Sequence, residues 1–153
     1  MSRPVAARAA SAKTGPPAPR PCQSCPYRRD VPSGIWASEE YEKLRAYDRD
    51  TSQQPVGLFQ CHQEDAHSPT RRMCAGWVAC HGYELLALRL ACASGAISPE
   101  TFEAAVNYDP QVPIFASGAQ AADHGQADIL LPSRTAQAYA AKITRRRTDL
   151  SDT

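Results

Sequence analysis

The cysteine pattern constrains this chain of 153 residues more than any other feature of its sequence. Cys22 and Cys25 form a C-x-x-C-P motif, Cys61 follows after 35 residues, and Cys74 follows after a further 12. Two residues between the first pair allow both thiols to face one ion, and the proline restrains the turn. Four thiolates are the ligands of a tetrahedral zinc site and of a four-cysteine iron–sulfur cluster. The sequence therefore predicts a metal centre held by these four cysteines.

The spacing of the four cysteines leaves the identity of the metal open. Structural zinc sites commonly join two short cysteine pairs, whereas this sequence has one pair and two single cysteines. A [4Fe–4S] cluster has four separated corners, so it accepts cysteines that come singly from different segments. The C-x-x-C-P segment is also similar to cluster-binding segments of ferredoxins and of cluster-containing uracil-DNA glycosylases, although the catalytic motifs of those glycosylases are absent. The spacing favours a [4Fe–4S] cluster, with zinc as the alternative.

Three further residues are alternative ligands: His62, His81 and Cys80. A site of three thiolates and one imidazole would suit zinc. Against this, adjacent side chains of an extended chain point in opposite directions. His62 is therefore expected to face away from Cys61 or to bond a thiolate. Cys80 equally suits a core position, because free cysteine behaves as a small buried hydrophobe.

Four residues are predicted to surround the metal centre: Pro26, Arg28, Trp36 and Trp77. The proline restrains the turn, the arginine offsets the negative charge of the thiolates, and the two tryptophans exclude water. The alternative for the tryptophans is an ordinary role in the hydrophobic core of a chain with few aromatic residues.

The composition favours bound metal over disulfide bonds. Residues 1–21 contain no continuous apolar stretch of the kind that a signal peptide needs, so the chain is expected in the cytoplasm, where thiols stay reduced. No apolar run approaches the ~18 residues of a membrane-spanning helix, which predicts no membrane contact. The net charge of +1 gives the whole chain no strong attraction to nucleic acid.

Three segments are predicted along the chain. Residues 1–21 are basic, rich in alanine and proline, and without an acid, which is typical of a disordered tail. Residues 22–147 are predicted to form one metal-binding domain, and residues 148–153 a disordered C-terminal tail. The domain is expected to be small, α-rich (all-α or α+β) and rich in loops, since the chain contains 13 prolines.

Four helices are predicted inside the domain. The first begins near Ser38, where the acidic Glu39 and Glu40 favour a helix N-terminus. Apolar residues that recur at spacings of three and four predict the second. The predicted spans are about 38–47, 77–94, 98–109 and 132–147, and residues 110–131 are interpreted as loop or short strand.

The sequence contains no phosphate-binding loop, dinucleotide-binding glycine motif, nucleophile elbow or H-E-x-x-H zinc motif. We therefore expect a non-catalytic metal-binding protein rather than an enzyme, and a redox-responsive regulator is one role for such a centre. One alternative is a structural zinc module that binds an unknown protein, or nucleic acid weakly through its basic tails. Another is a thiol–disulfide oxidoreductase that acts at Cys22 and Cys25.

Three blocks of the sequence stand out together. They are CQSCPYRRDVPSGIW at residues 22–36, FQCH at 59–62, and CAGW at 74–77, followed by His81. In this combination the chain resembles an uncharacterised protein family of actinobacteria and their phages, a domain of unknown function. The resemblance covers roughly residues 20–95. It implies a soluble bacterial or phage protein with a cysteine-bound metal and brings no established activity.

Overall fold

The computed structural model describes residues 13–65, 67–147 and 149. These residues form six α-helices joined by long loops, and no β-strand occurs among them. The helices are α1 (Ser38–Arg45), α2 (Ala75–His81), α3 (Leu86–Ser94), α4 (Pro99–Val106), α5 (Gly118–Ala127) and α6 (Arg134–Arg146). The prediction of a small, helix-rich single domain is confirmed. No helix in the described ranges is long and apolar enough to span a membrane.

Helix α4 begins as its sequence predicts, and α6 begins at Arg134, two residues after its predicted start at Pro132. Ser98 precedes Pro99 at the start of α4, and its side chain accepts a hydrogen bond from Thr101 N at 3.0 Å. Ser133 does the same for α6, where it accepts a bond from Ala136 N at 3.1 Å. A serine before the first helical residue stabilises the helix because it satisfies one of the free N–H groups.

The helix predicted over residues 77–94 is divided in two. Helix α2 ends at His81, and Gly82 follows with a φ of 62°, a conformation that glycine adopts without steric cost. A short 3₁₀ turn (Gly82–Glu84) leads into α3, which ends before Gly95 as predicted. The apolar spacing of three and four continues across this break, so the sequence pattern alone indicates one helix.

Helix α5 occupies a region that was predicted to be a loop or short strand. It is rich in small residues and includes two glycines, so its helical pattern is weak. Close packing requires the small residues, because a Cβ at Gly125 would collide with the ring of Tyr41 on α1. Asp48 caps the helix, since its carboxylate accepts bonds from Gly118 N at 2.7 Å and Ala119 N at 2.8 Å. Tertiary contacts therefore determine this helix.

An aromatic cluster forms the centre of the core. Trp77 on α2 and Tyr27 are fully buried. The ring centre of Tyr47 lies 5.4 Å from that of Trp77, and the ring of Phe59 lies 6.3 Å from that of Tyr27, both edge to face. Such pairs are favourable beyond the area that they bury. The cluster joins the three segments that carry the four predicted ligands.

Part of the predicted N-terminal tail packs against the domain. Gly15 N donates a hydrogen bond to Arg71 O at 2.9 Å, and Gly15 O accepts one from Met73 N at 3.3 Å. Gly15 thus has backbone partners in the domain, although it falls in the segment predicted to be a disordered tail. The rest of the two predicted tails, residues 1–12, 148 and 150–153, lies outside the described residues.

Candidate metal centre

The C-x-x-C-P segment forms a tight turn. Cys25 N donates a hydrogen bond to Cys22 O at 3.0 Å, and Arg28 N donates one to Cys25 O at 3.1 Å. The backbone N–H of Ser24 bonds the Cys22 sulfur. The indole N–H of Trp36 donates to Ser24 O at 3.1 Å and so fixes the turn from outside. The backbone groups of the turn are therefore satisfied while its two thiols meet.

Two short antiparallel segments bring the single cysteines together. Cys61 N donates a hydrogen bond to Arg72 O at 2.9 Å, and Cys74 N donates one to Phe59 O at 2.8 Å. An isolated antiparallel bridge lies between these two bonds. The 12 residues between the cysteines thus form a loop that leaves the centre and returns to it.

The four predicted ligands converge. The Sγ atoms of Cys25 and Cys74 are 3.8 Å apart, and Cys25 and Cys61 are the neighbours that lower the pKa of Cys22 most. Cys25 and Cys74 are 1% and 3% exposed, whereas Cys22 and Cys61 are partly exposed. The four thiols thus lie in one neighbourhood, and one pair of them is in direct contact. Within the described ranges, no group of three or more His, Cys, Asp or Glu side chains already stands around a common point as for a bound ion.

The four thiols hold their protons unequally. Hydrogen bonds from Cys25 and Cys61 lower the pKa of Cys22 to about 2, which makes Cys22 the thiolate of the group. Burial, followed by the interactions with Cys22 and Cys74, raises the pKa of Cys25. The bond to Cys22, followed by burial, raises the pKa of Cys61. A thiolate beside protonated thiols is a donor set that a cation completes by displacing those protons.

Helix α2 approaches the turn closely because residue 76 is glycine. A Cβ at Gly76 would collide with Cys25 Sγ and with the Cβ of Tyr27. The helix begins at Ala75, directly after Cys74, so this close approach places the Cys74 thiol beside that of Cys25. The glycine of the CAGW block therefore has a steric role at the centre.

Three of the residues predicted to surround the centre are buried around it. Trp36 holds the turn through its indole N–H, and Pro26 is buried in the turn itself. Trp77 is fully buried in the aromatic cluster, and its Nε1 has no hydrogen-bond partner in the part of the chain that the structure describes. Both tryptophans are therefore core residues, and their exclusion of water from a metal stays a prediction.

Arg28, the fourth predicted shell residue, is paired first with a carboxylate. Its guanidinium donates two hydrogen bonds of 2.8 Å to Asp30 and one of 2.9 Å to Pro21 O. Asp30 raises the pKa of Arg28 most, and the Cys25 and Cys22 thiols contribute less. The charge of this arginine is thus shared between Asp30 and the cysteines.

Two residues that the sequence did not single out support the turn. Ser24 Oγ lies 3.7 Å from Cys22 Sγ and accepts a hydrogen bond from Gln63 Nε2 at 2.6 Å. The backbone N–H of Gln63 bonds the Cys61 sulfur. Gln63 therefore links the turn to the segment of Cys61. The only sequence signal for either residue is its position one or two residues from a cysteine.

The two alternative histidine ligands make other contacts. The rings of His62 and Trp36 have their centres 4.5 Å apart, and His62 Nε2 lies 3.4 Å from a carboxylate oxygen of Glu40. The Nδ1 of His62 is buried without a hydrogen-bond partner among the described residues. His81 Nε2 lies 3.1 Å from the hydroxyl of Tyr27. These contacts place both imidazoles in the aromatic surroundings of the thiols.

Cys80, the third alternative ligand, lies on α2 and is partly buried against the core. Burial raises the pKa of its thiol to about 12. The residue lines a cavity of about 440 Å³ together with Asp48 and His81. No hydrogen bond joins Cys80 or the two histidines to the four convergent thiols in the described ranges.

Comparison with known proteins places the chain in a family. A family model with the description "Family of unknown function (DUF6283)" matches residues 17–147. The match includes α4, α5 and α6, which lie beyond the blocks that carried the resemblance in the sequence. No curated protein and no solved structure matches the chain. Since the match covers most of the sequence, the chain belongs to this family of unknown function.

Proposed function

We propose that this protein is a non-catalytic metal-binding protein in which Cys22, Cys25, Cys61 and Cys74 hold one zinc ion. The observation that carries the proposal is the distance of 3.8 Å between the Sγ atoms of Cys25 and Cys74. Four sulfur atoms at about 2.3 Å from a zinc ion stand about 3.8 Å from one another. The thiols of Cys25 and Cys74 are therefore spaced as one edge of a zinc tetrahedron requires.

The same distance disfavours the [4Fe–4S] cluster that the sequence spacing favoured. Each cysteine of a four-iron cluster binds a different iron atom at a separate corner, which keeps the sulfurs farther apart than in a single-ion site. Cys22 lies near enough to Cys25 and Cys61 for both to lower its pKa, which also favours a compact donor set. A single small ion fits such a set better than a four-iron cluster does.

Burial and ligand number support a structural role for the ion. Catalytic zinc keeps one coordination position for water or substrate, whereas structural zinc is closed by four protein ligands. Four thiols converge here, and two of them, Cys25 and Cys74, are almost without exposed surface. Zinc binding would join the C-x-x-C-P turn to the two antiparallel segments, and so contribute to folding.

Thiol–disulfide exchange is the less favoured alternative. The low pKa of Cys22 would suit an attacking thiol. Redox C-x-x-C motifs, however, use a helix N-terminus next to a strand, and here no helix begins between Cys22 and Ser38. The second thiol of the motif, that of Cys25, is also buried beneath α2. The local fold therefore suits metal binding better.

Metal analysis of matched cysteine variants tests the proposal. The wild-type protein, purified without oxygen or added metal, is expected to carry about one zinc per chain and no acid-labile sulfide. Cys61→Ser and Cys74→Ser should each lose the zinc, whereas Cys92→Ser and Cys80→Ser should retain it. Iron together with a similar amount of sulfide would show that the four cysteines hold an iron–sulfur cluster and not zinc. Equal metal content in all four variants would overturn the four-cysteine site.

A further inference from the structure

The positive charge of this chain is concentrated at its last helix. Residues 134–147, which comprise α6 and the residue after it, contain five of the 17 Lys and Arg and none of the 16 Asp and Glu. The remainder of the chain therefore carries 12 bases against 16 acids. The net charge of +1 hides this division between an acidic body and a basic helix.

The basic residues of α6 lie on the face that points to solvent. Ala136 and Ile143 are buried and fix the inner face of the helix. Four cations are exposed on the outer side: Arg134, Lys142, Arg145 and Arg146. At 1.5 Å per residue they extend over about 18 Å of the helix axis. The exposed face is therefore a cationic stripe along most of α6.

Most of this charge is unpaired. Arg134, Lys142 and Arg145 form no hydrogen bond or ion pair with any residue that the structure describes. Arg146 donates only to the side-chain oxygen of Gln63, at 3.0 Å. Cations that are not engaged within the fold are free to bind an external anion.

A cleft beside the stripe has the lining that a phosphate group would need. It has a volume of about 200 Å³ and lies between α6 and the C-x-x-C-P turn. Its polar and charged side chains include no carboxylate: Gln23, Ser24, Gln63, Tyr139, Lys142 and Arg146. Ammonium, guanidinium, amide and hydroxyl groups are the common donors to phosphate oxygens. The cleft and the stripe share two of their cations.

We propose that the exposed face of α6 binds the phosphate backbone of a nucleic acid. A row of unpaired cations matches a linear polyanion, and phosphate contacts need no base recognition. An anionic membrane is disfavoured because the apolar face of α6 is packed on the domain, so the helix has nothing to insert. This surface would give the proposed metal-binding protein a nucleic-acid partner. The proposal does not depend on which metal the cysteines hold.

Internal roles for these cations make a different prediction. Arg145 and Arg146 lie in the last turn of α6, where positive charge stabilises the helix dipole. Lys142 and Arg146 line the same cleft as Cys22, where a second internal role would be to offset thiolate charge. If those were their only roles, substitution of these cations would change stability or metal content. The wild-type protein would then show no salt-dependent binding to DNA.

The test measures binding of a 20-base-pair DNA duplex and a 20-nucleotide single strand by fluorescence anisotropy, between 50 and 200 mM salt. The double variant Lys142→Gln with Arg145→Gln removes two exposed cations of the stripe. The control, Lys43→Gln with Arg49→Gln, removes the same charge from the acidic body. We expect the first pair to weaken binding roughly tenfold and to reduce the salt slope for the duplex by about 2. The second pair should leave both close to wild type.

Zinc content, measured on the same samples, separates this proposal from the proposed metal function. A zinc-loaded wild-type protein that binds neither DNA form overturns the nucleic-acid surface and leaves the metal centre standing. Equal loss of affinity in the two double variants also overturns it, as does binding to anionic phosphatidylserine vesicles without binding to DNA. A metal-free protein that still binds DNA through Lys142 and Arg145 would support the surface and contradict the zinc site.

Discussion

Single residues at the centre have steric and electrostatic tasks that the cysteine pattern does not display. Gly76 admits the Cys25 sulfur against α2, and Ser24 with Gln63 connects the turn to the segment of Cys61. That Cys22 and Cys25 lie together in a tight turn could be predicted from the sequence, because the C-x-x-C-P spacing is specific. The supporting serine and glutamine could not, since such residues occur at many surface positions.

Gly76→Ala should weaken metal binding. The added Cβ would collide with Cys25 Sγ and Tyr27, both buried, so the ligand or the helix must move. We expect a loss of about 1–3 kcal/mol in the free energy of unfolding, with a lower zinc affinity in chelator competition. The matched control is Gly57→Ala, where no atom lies within 4 Å of the new Cβ. Equal behaviour of the two variants would contradict the close approach of α2 to Cys25.

The thiol of Cys80 should be unreactive in the folded protein. Burial raises its pKa to about 12, so the thiolate forms only as the pH approaches that value. At pH 8, a thiol with this pKa is ionised in only about one molecule in 10⁴. Alkylation by iodoacetamide, mapped by mass spectrometry, should therefore spare Cys80 until urea unfolds the chain. Modification at the same rate with and without urea would show that Cys80 is not buried as described.

At the scale of elements, contacts from distant residues decide what local sequence leaves open. The start of α4 could be predicted, because serine at the N-cap and Pro99 at the first position act locally, whereas α6 begins two residues after its predicted start. Helix α5 could not, since its small residues are explained only by the neighbouring α1. The break at Gly82 could not be predicted because the apolar spacing of three and four continues across it, whereas the helix itself ends at His81.

Asp48→Ala should destabilise α5. The carboxylate accepts hydrogen bonds from two N–H groups at the start of this helix, those of Gly118 and Ala119. Loss of a helix cap commonly costs about 0.5–2 kcal/mol, which urea unfolding followed by circular dichroism can resolve. Asp50→Ala, an exposed acid two residues away, is the control and should stay close to wild type. An equal loss in the free energy of unfolding in both variants would show that Asp48 does not stabilise α5 as a cap.

In the whole molecule, the centre joins segments that the helices do not hold together. The C-x-x-C-P turn and the two antiparallel segments lie in loops, and they meet through the thiols, the aromatic cluster and the Gln63–Ser24 hydrogen bond. The sequence predicts that a metal unites them, because four cysteines are the ligand set of a zinc site or an iron–sulfur cluster. The choice between zinc and a cluster needed a sulfur–sulfur distance, which spacing along the chain does not provide.

X-ray absorption at the metal edge of the purified wild-type protein tests the central claim most directly. The account predicts zinc with four sulfur neighbours at about 2.3 Å and no nitrogen or oxygen in the first shell. Cys92→Ser should give the same spectrum, because that cysteine lies outside the convergent group. A first shell that includes an imidazole nitrogen would mean that His62 or His81, and not one of the four cysteines, is a ligand. Iron with sulfide bridges, or a protein that retains no metal, would contradict the zinc centre.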